Sequence, residues 1–227
     1  MRLCHDNWGA KLESITIKRN KMKDFILKNQ FWGMMILGVG VAVWTLCCWS
    51  KMGPTQHIAA LFFIAITLHC VEEMKLPGGF VDMVVKFVGF PIMDMRFPKL
   101  LLSLLVIYMA FVPLFFPHMA WMGAAPLYLG VVEVVAHLLA AARMNSRKVF
   151  YSPGMVTALV IMLPLTVWGF YTVISQHLLS GLDWLWAFLY LFIPLIITQR
   201  FVVKMSGMPY REFVGNAVKT LFGKKNV

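Results

Sequence analysis

Long apolar runs separated by short polar segments dominate the chain. A run of about 17 to 25 mainly apolar residues is long enough to cross a bilayer as an α-helix. Six runs are candidates for spans: 31–50, 56–73, 100–116, 120–142, 155–175 and 184–199. The pattern therefore predicts an all-α, polytopic membrane helical bundle, with six transmembrane helices in a domain of residues 31–199.

Amphipathic patterns occur between and beyond these runs. Residues 80–89 and 210–222 place apolar side chains on one helical face and charged side chains off it, and residues 11–29 show a weaker form. Helices of this kind lie in the headgroup region of a membrane. We expect such interfacial helices on the cytoplasmic face, next to a basic N-terminal segment (1–30) and within an amphipathic basic tail (200–227).

Composition and charge fix the class of protein and its orientation. The chain is 60% hydrophobic and only 14% charged, which excludes an ordinary soluble domain. Of 21 Lys and Arg residues, all but Lys51 fall in the segments that share one side of a six-span protein. The positive-inside rule then predicts that both termini are cytoplasmic, in the cell membrane if the source is prokaryotic.

The net charge of +11 raises nucleic-acid binding as an alternative. The basic residues, however, are distributed over four segments that flank the membrane and do not gather on one domain. We therefore predict a bilayer and no nucleic acid as the surroundings of this chain.

Five ionisable side chains lie in the apolar runs. Each charged group of this kind costs roughly 2.5 to 3.5 kcal/mol near the bilayer centre, so it is usually functional. They fall into two sets with helical spacing, on the second and fourth runs: His69, Glu72 and Glu73, then Glu133 and His137. Both sets lie roughly 20 Å from the outer ends of their runs at about 1.5 Å per residue, so we expect them to face each other.

Two imidazoles and three carboxylates are ligand types of Zn, Fe or Mn. The predicted metal ligands are His69, Glu72, Glu133 and His137, and Glu73 is the predicted catalytic general base for a water at the metal. A ferritin-like di-iron site needs two Glu-x-x-His pairs and two further carboxylates. Here one pair is reversed, the other has a spacing of four and one carboxylate is missing, which favours a single ion, Zn or Fe.

Two alternatives need no metal. Carboxylates in an apolar bundle can serve as acid and base catalysts or as proton carriers. The same groups can also hydrogen-bond to one another and lock two helices together without any chemistry. A stripe of Gly123, Pro126 and Gly130 leads toward Glu133 and is either a packing groove or a cavity.

The loop before the fifth run offers a polar substrate contact. Ser152 and Pro153 suit the N-cap and first position of a helix, and the nearby Arg143 adds positive charge. Asn145 and Tyr151 are the predicted substrate-binding residues.

These motifs resemble those of the HXXEE-motif family of multi-pass membrane proteins, over about residues 56–175. The resemblance rests on His69-Cys70-Val71-Glu72-Glu73, Glu133-x-x-x-His137, Asn145 and Tyr151-Ser152-Pro153-Gly154. It implies a membrane setting for the motif and assigns no reaction. The paired glutamates are also similar to those of CAAX-type intramembrane proteases, but Pro77 stands where that family has an arginine, so its activity is not transferred.

The leading functional hypothesis is a membrane-embedded enzyme that hydrolyses or oxidises a lipid or other apolar small molecule. A carrier for a metal ion or proton is the alternative from another class, and a non-catalytic membrane adaptor is the third.

Overall fold

The computed structural model describes residues 3–91, 94–143 and 150–222, and side chains between residues 21 and 220 of these ranges. All regular structure in these ranges is helical: α1 (Leu3–Cys48), α2 (Pro54–Met74), α3 (Phe80–Val88), α4 (Arg96–Phe115), α5 (Ala120–Arg143), α6 (Met155–Ser175), α7 (Gly181–Met205) and α8 (Tyr210–Phe222). Six of them, all except α3 and α8, are long and apolar enough to cross a membrane. The predicted all-helical, six-span architecture is confirmed.

Local sequence explains where the spans begin. Pro54 opens α2, and the Gln56 side chain accepts a hydrogen bond from the Gly53 N–H at 3.1 Å. At the start of α7, the Asp183 carboxylate accepts hydrogen bonds from the backbone N–H and the hydroxyl of Ser180, each at 2.8 Å. These contacts satisfy N–H groups that a helix leaves without an internal partner.

Helices α2 and α5 form the centre of the bundle. Helix α5 packs against α2, α6 and α7, and α2 also packs against α1. Phe62, Phe63 and Ile66 of α2 and Leu127 and Leu129 of α5 are among the buried core side chains. This apolar core fixes the distance between α2 and α5 and the faces that they turn toward each other, and the polar residues of both helices lie next to it.

The glycine stripe on α5 is a packing surface. A Cβ atom at Gly123 would come within 2.7 Å of the Thr55 side chain on α2. A Cβ atom at Gly130 would overlap the Thr166 hydroxyl on α6 and approach Phe62 to 3.0 Å. Of the two predicted alternatives, the structure supports the packing groove.

Two of the predicted amphipathic segments form the short helices α3 and α8, which pack together. The Asn216 side chain donates to the Val88 carbonyl at 3.0 Å, and the Thr220 hydroxyl donates to the Phe87 carbonyl at 3.1 Å. Their location at the membrane surface and the cytoplasmic location of the termini stay predictions.

Candidate metal centre

Four ionisable side chains from α2 and α5 converge in one place. We call His69, Glu73, Glu133 and His137 the His/Glu cluster. Each helix contributes a pair with a spacing of four, which places both side chains on the same helical face. The histidines are 1% and 0% exposed, so the imidazoles form the buried side of the cluster and the carboxylates its more accessible side.

The donor atoms of the cluster are closely spaced. The Nε2 atoms of His69 and His137 are 3.2 Å apart. The Oε1 atom of Glu73 lies 3.6 Å and 3.4 Å from these two nitrogens, and the Oε2 atom of Glu133 lies 3.6 Å and 3.7 Å from them. No two donor atoms of the cluster are more than 4.8 Å apart.

These spacings fit a metal ion better than direct hydrogen bonds. Charge-assisted N–H···O bonds are about 2.7 to 2.9 Å long, and the four nitrogen–oxygen distances in the cluster are 3.4 to 3.7 Å. A tetrahedral ion with ligand bonds of about 2.0 to 2.2 Å separates its ligand atoms by about 3.3 to 3.6 Å. Five of the six separations between donor atoms are therefore close to those of a tetrahedral coordination shell, and the sixth, between the two carboxylate oxygens, is within 4.8 Å.

The hydrogen bonds around His69 determine which of its two nitrogens carries the hydrogen when the ring is neutral. Its Nδ1 atom is 2.9 Å from the Thr157 hydroxyl. That hydroxyl has a single hydrogen, which it donates to the Glu72 carboxylate at 2.6 Å. Nδ1 must therefore be the donor to Thr157, and the Nε2 lone pair of a neutral His69 points into the cluster.

His137 is oriented in the same way by a different residue. Its Nδ1 atom is 3.1 Å from the Ser152 hydroxyl, which itself donates to the His137 carbonyl oxygen at 3.0 Å. Because a carbonyl oxygen only accepts, Nδ1 of His137 is the donor to Ser152. Both imidazoles thus present lone pairs to two carboxylates, and a divalent cation matches this arrangement of acceptors and negative charge.

Glu72 was predicted to be a metal ligand, and the structure places its carboxylate outside the cluster. It accepts hydrogen bonds from the backbone N–H groups of Val156 and Thr157, at 3.1 Å and 2.7 Å, and from the Tyr151 hydroxyl at 2.9 Å. A carboxylate at the N-terminus of α6 is favoured by the unpaired N–H groups and the helix dipole. Glu73, the predicted base, occupies the place in the cluster that was expected for Glu72.

Tyr151, a predicted substrate-binding residue, supports this arrangement. Two causes raise the pKa of Tyr151 to about 12: burial, which is the larger, and the hydrogen bond to Glu72. Its hydroxyl therefore stays protonated and donates to Glu72 at any physiological pH. The other predicted substrate-binding residue, Asn145, lies outside the described residues.

Gly154 closes the cluster from the α6 side. Its φ of +99° is a conformation that favours glycine, and a Cβ atom there would overlap the His137 ring and come within 2.8 Å of the His69 ring. The backbone before α6 therefore lies directly against both imidazoles.

Sequence reasoning missed Thr157 and gave Ser152 a different role. Ser152 was predicted to be the N-cap of the fifth span, but its hydroxyl bonds to His137 and the N-cap residue is Gly154. The signal that pointed to this region was the Tyr151–Gly154 motif. A hydroxyl three residues beyond that motif has no sequence pattern that links it to α2.

Residues 60–169 match the family described as protein of unknown function with HXXEE motif. The matched segment contains the whole His/Glu cluster together with Thr157 and Ser152. No curated protein and no solved structure matches the chain.

Proposed function

We propose that this member of the HXXEE-motif family, matched over residues 60–169, holds one Zn²⁺ ion in the His/Glu cluster and hydrolyses an apolar substrate in the membrane. The observation that supports it most is the set of five donor-atom distances between 3.2 and 3.7 Å. They are close to five of the six edges of a tetrahedron around an ion of this size, and the sixth edge, between the two carboxylate oxygens, is within 4.8 Å.

A single ion suits the donor set better than a pair of ions. Two-metal sites hold their ions about 3.5 to 4 Å apart and need additional bridging ligands. Glu72 is the nearest further carboxylate in sequence, and four hydrogen bonds from Tyr151, Val156 and Thr157 engage it. Zinc accepts tetrahedral nitrogen and oxygen ligands, whereas iron sites with more oxygen ligands expand to six.

In this proposal His69, His137 and Glu133 keep the ion in place, and Glu73 accepts a proton from the attacking water. A bound zinc ion supplies a Lewis acid and lowers the pKa of water at the site. Glu73 is the penultimate residue of α2, where helices fray, whereas Glu133 lies in the middle of α5. Glu73 can therefore leave the coordination shell and open a position for water more readily than Glu133 can.

The two carboxylates provide the test. Glu73→Gln is expected to keep bound zinc and to lose hydrolysis of neutral lipid esters in mixed micelles, whereas Glu133→Gln loses both. His118→Ala, at an exposed histidine outside the cluster, serves as the control and should keep both. Full hydrolysis by Glu73→Gln, or none by zinc-loaded wild type on a panel of lipid esters and amides, would overturn the proposed reaction.

The cluster supplies four potential ligands, and this number favours a second candidate function, that of a metal carrier. Four protein ligands close a tetrahedral zinc site, whereas catalytic sites keep one position open. Replacing zinc by Co²⁺ and adding azide separates the two functions. A shift of the cobalt absorption bands on azide addition supports the enzyme, while an unchanged spectrum together with zinc flux into proteoliposomes supports the carrier.

A further inference from the structure

A cavity of about 320 Å³ adjoins the His/Glu cluster. His69, Glu73 and Glu133 line one part of it. Most of the remaining wall is apolar and comes from α2, α3, α4, α5 and α7, with the buried side chains of Leu105, Met109 and Leu129 in its interior. The cavity thus joins a reactive polar end to a hydrocarbon-like space, within the volume range of small-molecule sites.

Charge restricts what this cavity accepts. Among the described residues that line it, none is a lysine or arginine, and two are glutamates. A divalent ion would balance those two carboxylates and leave no positive charge for a ligand. An anionic headgroup or a free carboxylate would therefore lie beside two glutamates and meet no lysine or arginine among the described lining residues, which is costly. A neutral polar group avoids that cost.

A second apolar space lies next to the cavity, on the other side of α3. A groove of about 440 Å³ runs along the outer face of α5 past the exposed side chains of Val131 and Val135. Phe80 and Val84 of α3 belong both to this groove and to the wall of the cavity. Phe80 also contacts His137, with ring centroids 4.6 Å apart. The two apolar spaces are thus separated by side chains of one short helix, and an apolar chain in the bilayer is adjacent to the site.

We propose that the cavity binds a neutral single-chain lipid with an ester or amide carbonyl, its carbonyl at the His/Glu cluster and its chain between Leu105, Met109 and Leu129. This inference rests on the proposed zinc hydrolase. In the reaction the water oxygen bonds to the carbonyl carbon, and the bond from that carbon to the ester oxygen or amide nitrogen breaks. One water proton ends on the leaving atom, and the carboxylic acid product releases another. The anionic product meets no lysine or arginine among the described residues of the cavity wall, which favours its release.

Binding and metal content are measured on the same samples of purified full-length protein. The probes are radiolabelled monooleoylglycerol and oleoylethanolamide, with oleate and oleoyl lysophosphatidate as anionic counterparts that carry the same chain. Wild type is expected to bind at least one neutral probe. Its affinity for each anionic probe should be lower by a factor of about ten or more, because the negative charge would be buried in a cavity without a lysine or arginine among its described lining residues. Equal binding of neutral and anionic probes overturns the inference.

A matched pair of variants locates the chain. Leu105→Trp fills the cavity from α4, whereas Leu104→Trp adds the same bulk at the preceding position, whose side chain is 51% exposed and does not line the cavity. Leu105→Trp is expected to lose binding of the neutral probe while its zinc content is unchanged, and Leu104→Trp is expected to bind like wild type. If Leu105→Trp does not fold, the comparison of neutral and anionic probes on wild type still tests the lipid inference.

The two proposals fail in different ways. Zinc-loaded protein that binds no neutral probe contradicts the lipid inference alone. Protein that takes up no zinc contradicts the proposed hydrolase, whatever it binds. Selective binding of the ester or of the amide shows which of the two acyl classes the cavity prefers.

Discussion

The Nε2 atom of His69 on α2 lies 3.2 Å from the Nε2 atom of His137 on α5, across a sequence separation of 68 residues. Hydrogen bonds to Thr157 and Ser152 engage the other nitrogen of each ring, so neither Nε2 atom carries a proton when the imidazole is neutral. Two lone pairs at this distance repel each other unless a proton or a metal ion lies between them. This relationship is the physical basis for the proposed metal site.

The Thr157 hydroxyl connects His69 to the Glu72 carboxylate, and its removal should weaken metal binding. Partners of ligating histidines typically contribute about 10- to 100-fold in metal affinity. Thr157→Val, which has a similar shape without the hydroxyl, should lower zinc affinity by about that factor. A competition titration with a chromophoric chelator measures it. Thr157→Ser restores the hydroxyl and should recover most of the affinity; equal affinity of Val and Ser variants would refute a positioning role.

Gly154 leaves no room for a side chain beside the two imidazoles. Gly154→Ala should displace the His69 and His137 rings and remove most of the bound zinc, measured by metal analysis of the purified variant. Gly207 is a suitable control because its φ of +77° imposes similar backbone strain, while a Cβ atom there meets no atom of the described residues within 4 Å. If Gly207→Ala loses as much zinc as Gly154→Ala, strain and not contact with the histidines is the cause.

Close packing of α5 on α6 should make Gly130 sensitive to any side chain. Gly130→Ala forces the Thr166 hydroxyl and the Phe62 ring to move, and overpacking of this kind costs about 1 to 3 kcal/mol. Its midpoint of thermal unfolding in detergent should fall below that of wild type. Gly40→Ala on α1, where a Cβ atom has no neighbour within 4 Å in the part of the chain that the structure describes, should show no such fall.

The orientation of the chain is testable with two lysine-to-cysteine variants. All four native cysteines are first replaced by serine, and Lys51→Cys or Lys204→Cys is then introduced. The positive-inside rule predicts that a membrane-impermeant maleimide labels position 51 in intact cells and position 204 only after permeabilisation. The reverse pattern would place both termini on the outer side.

The six spans and the meeting of α2 with α5 could be predicted from the sequence because both depend on local patterns. Length and hydropathy define a span, and a spacing of four fixes which residues of one helix share a face. Ionisable groups on two apolar helices have few favourable surroundings other than each other. The facing of His69 and His137 follows from this reasoning.

The choice between Glu72 and Glu73 could not be predicted. Both lie within one turn of His69, at spacings of three and four, and either can share its face. The choice is made by α6, whose first N–H groups bind Glu72 and leave Glu73 to the cluster. That contact joins residues more than 80 positions apart, and local periodicity contains no information about it. The same is true of Thr157 and of the close approach of Gly154 to the two histidines.

The most direct test of the metal centre is the zinc content and coordination of purified full-length protein. Elemental analysis combined with X-ray absorption at the zinc edge should find one zinc per chain with nitrogen and oxygen ligands at about 2.0 to 2.2 Å. His69→Ala and His137→Ala should each abolish that signal, and His118→Ala should preserve it. A wild-type protein that takes up no stoichiometric zinc, or histidine variants that fold and retain it in full, would contradict the account.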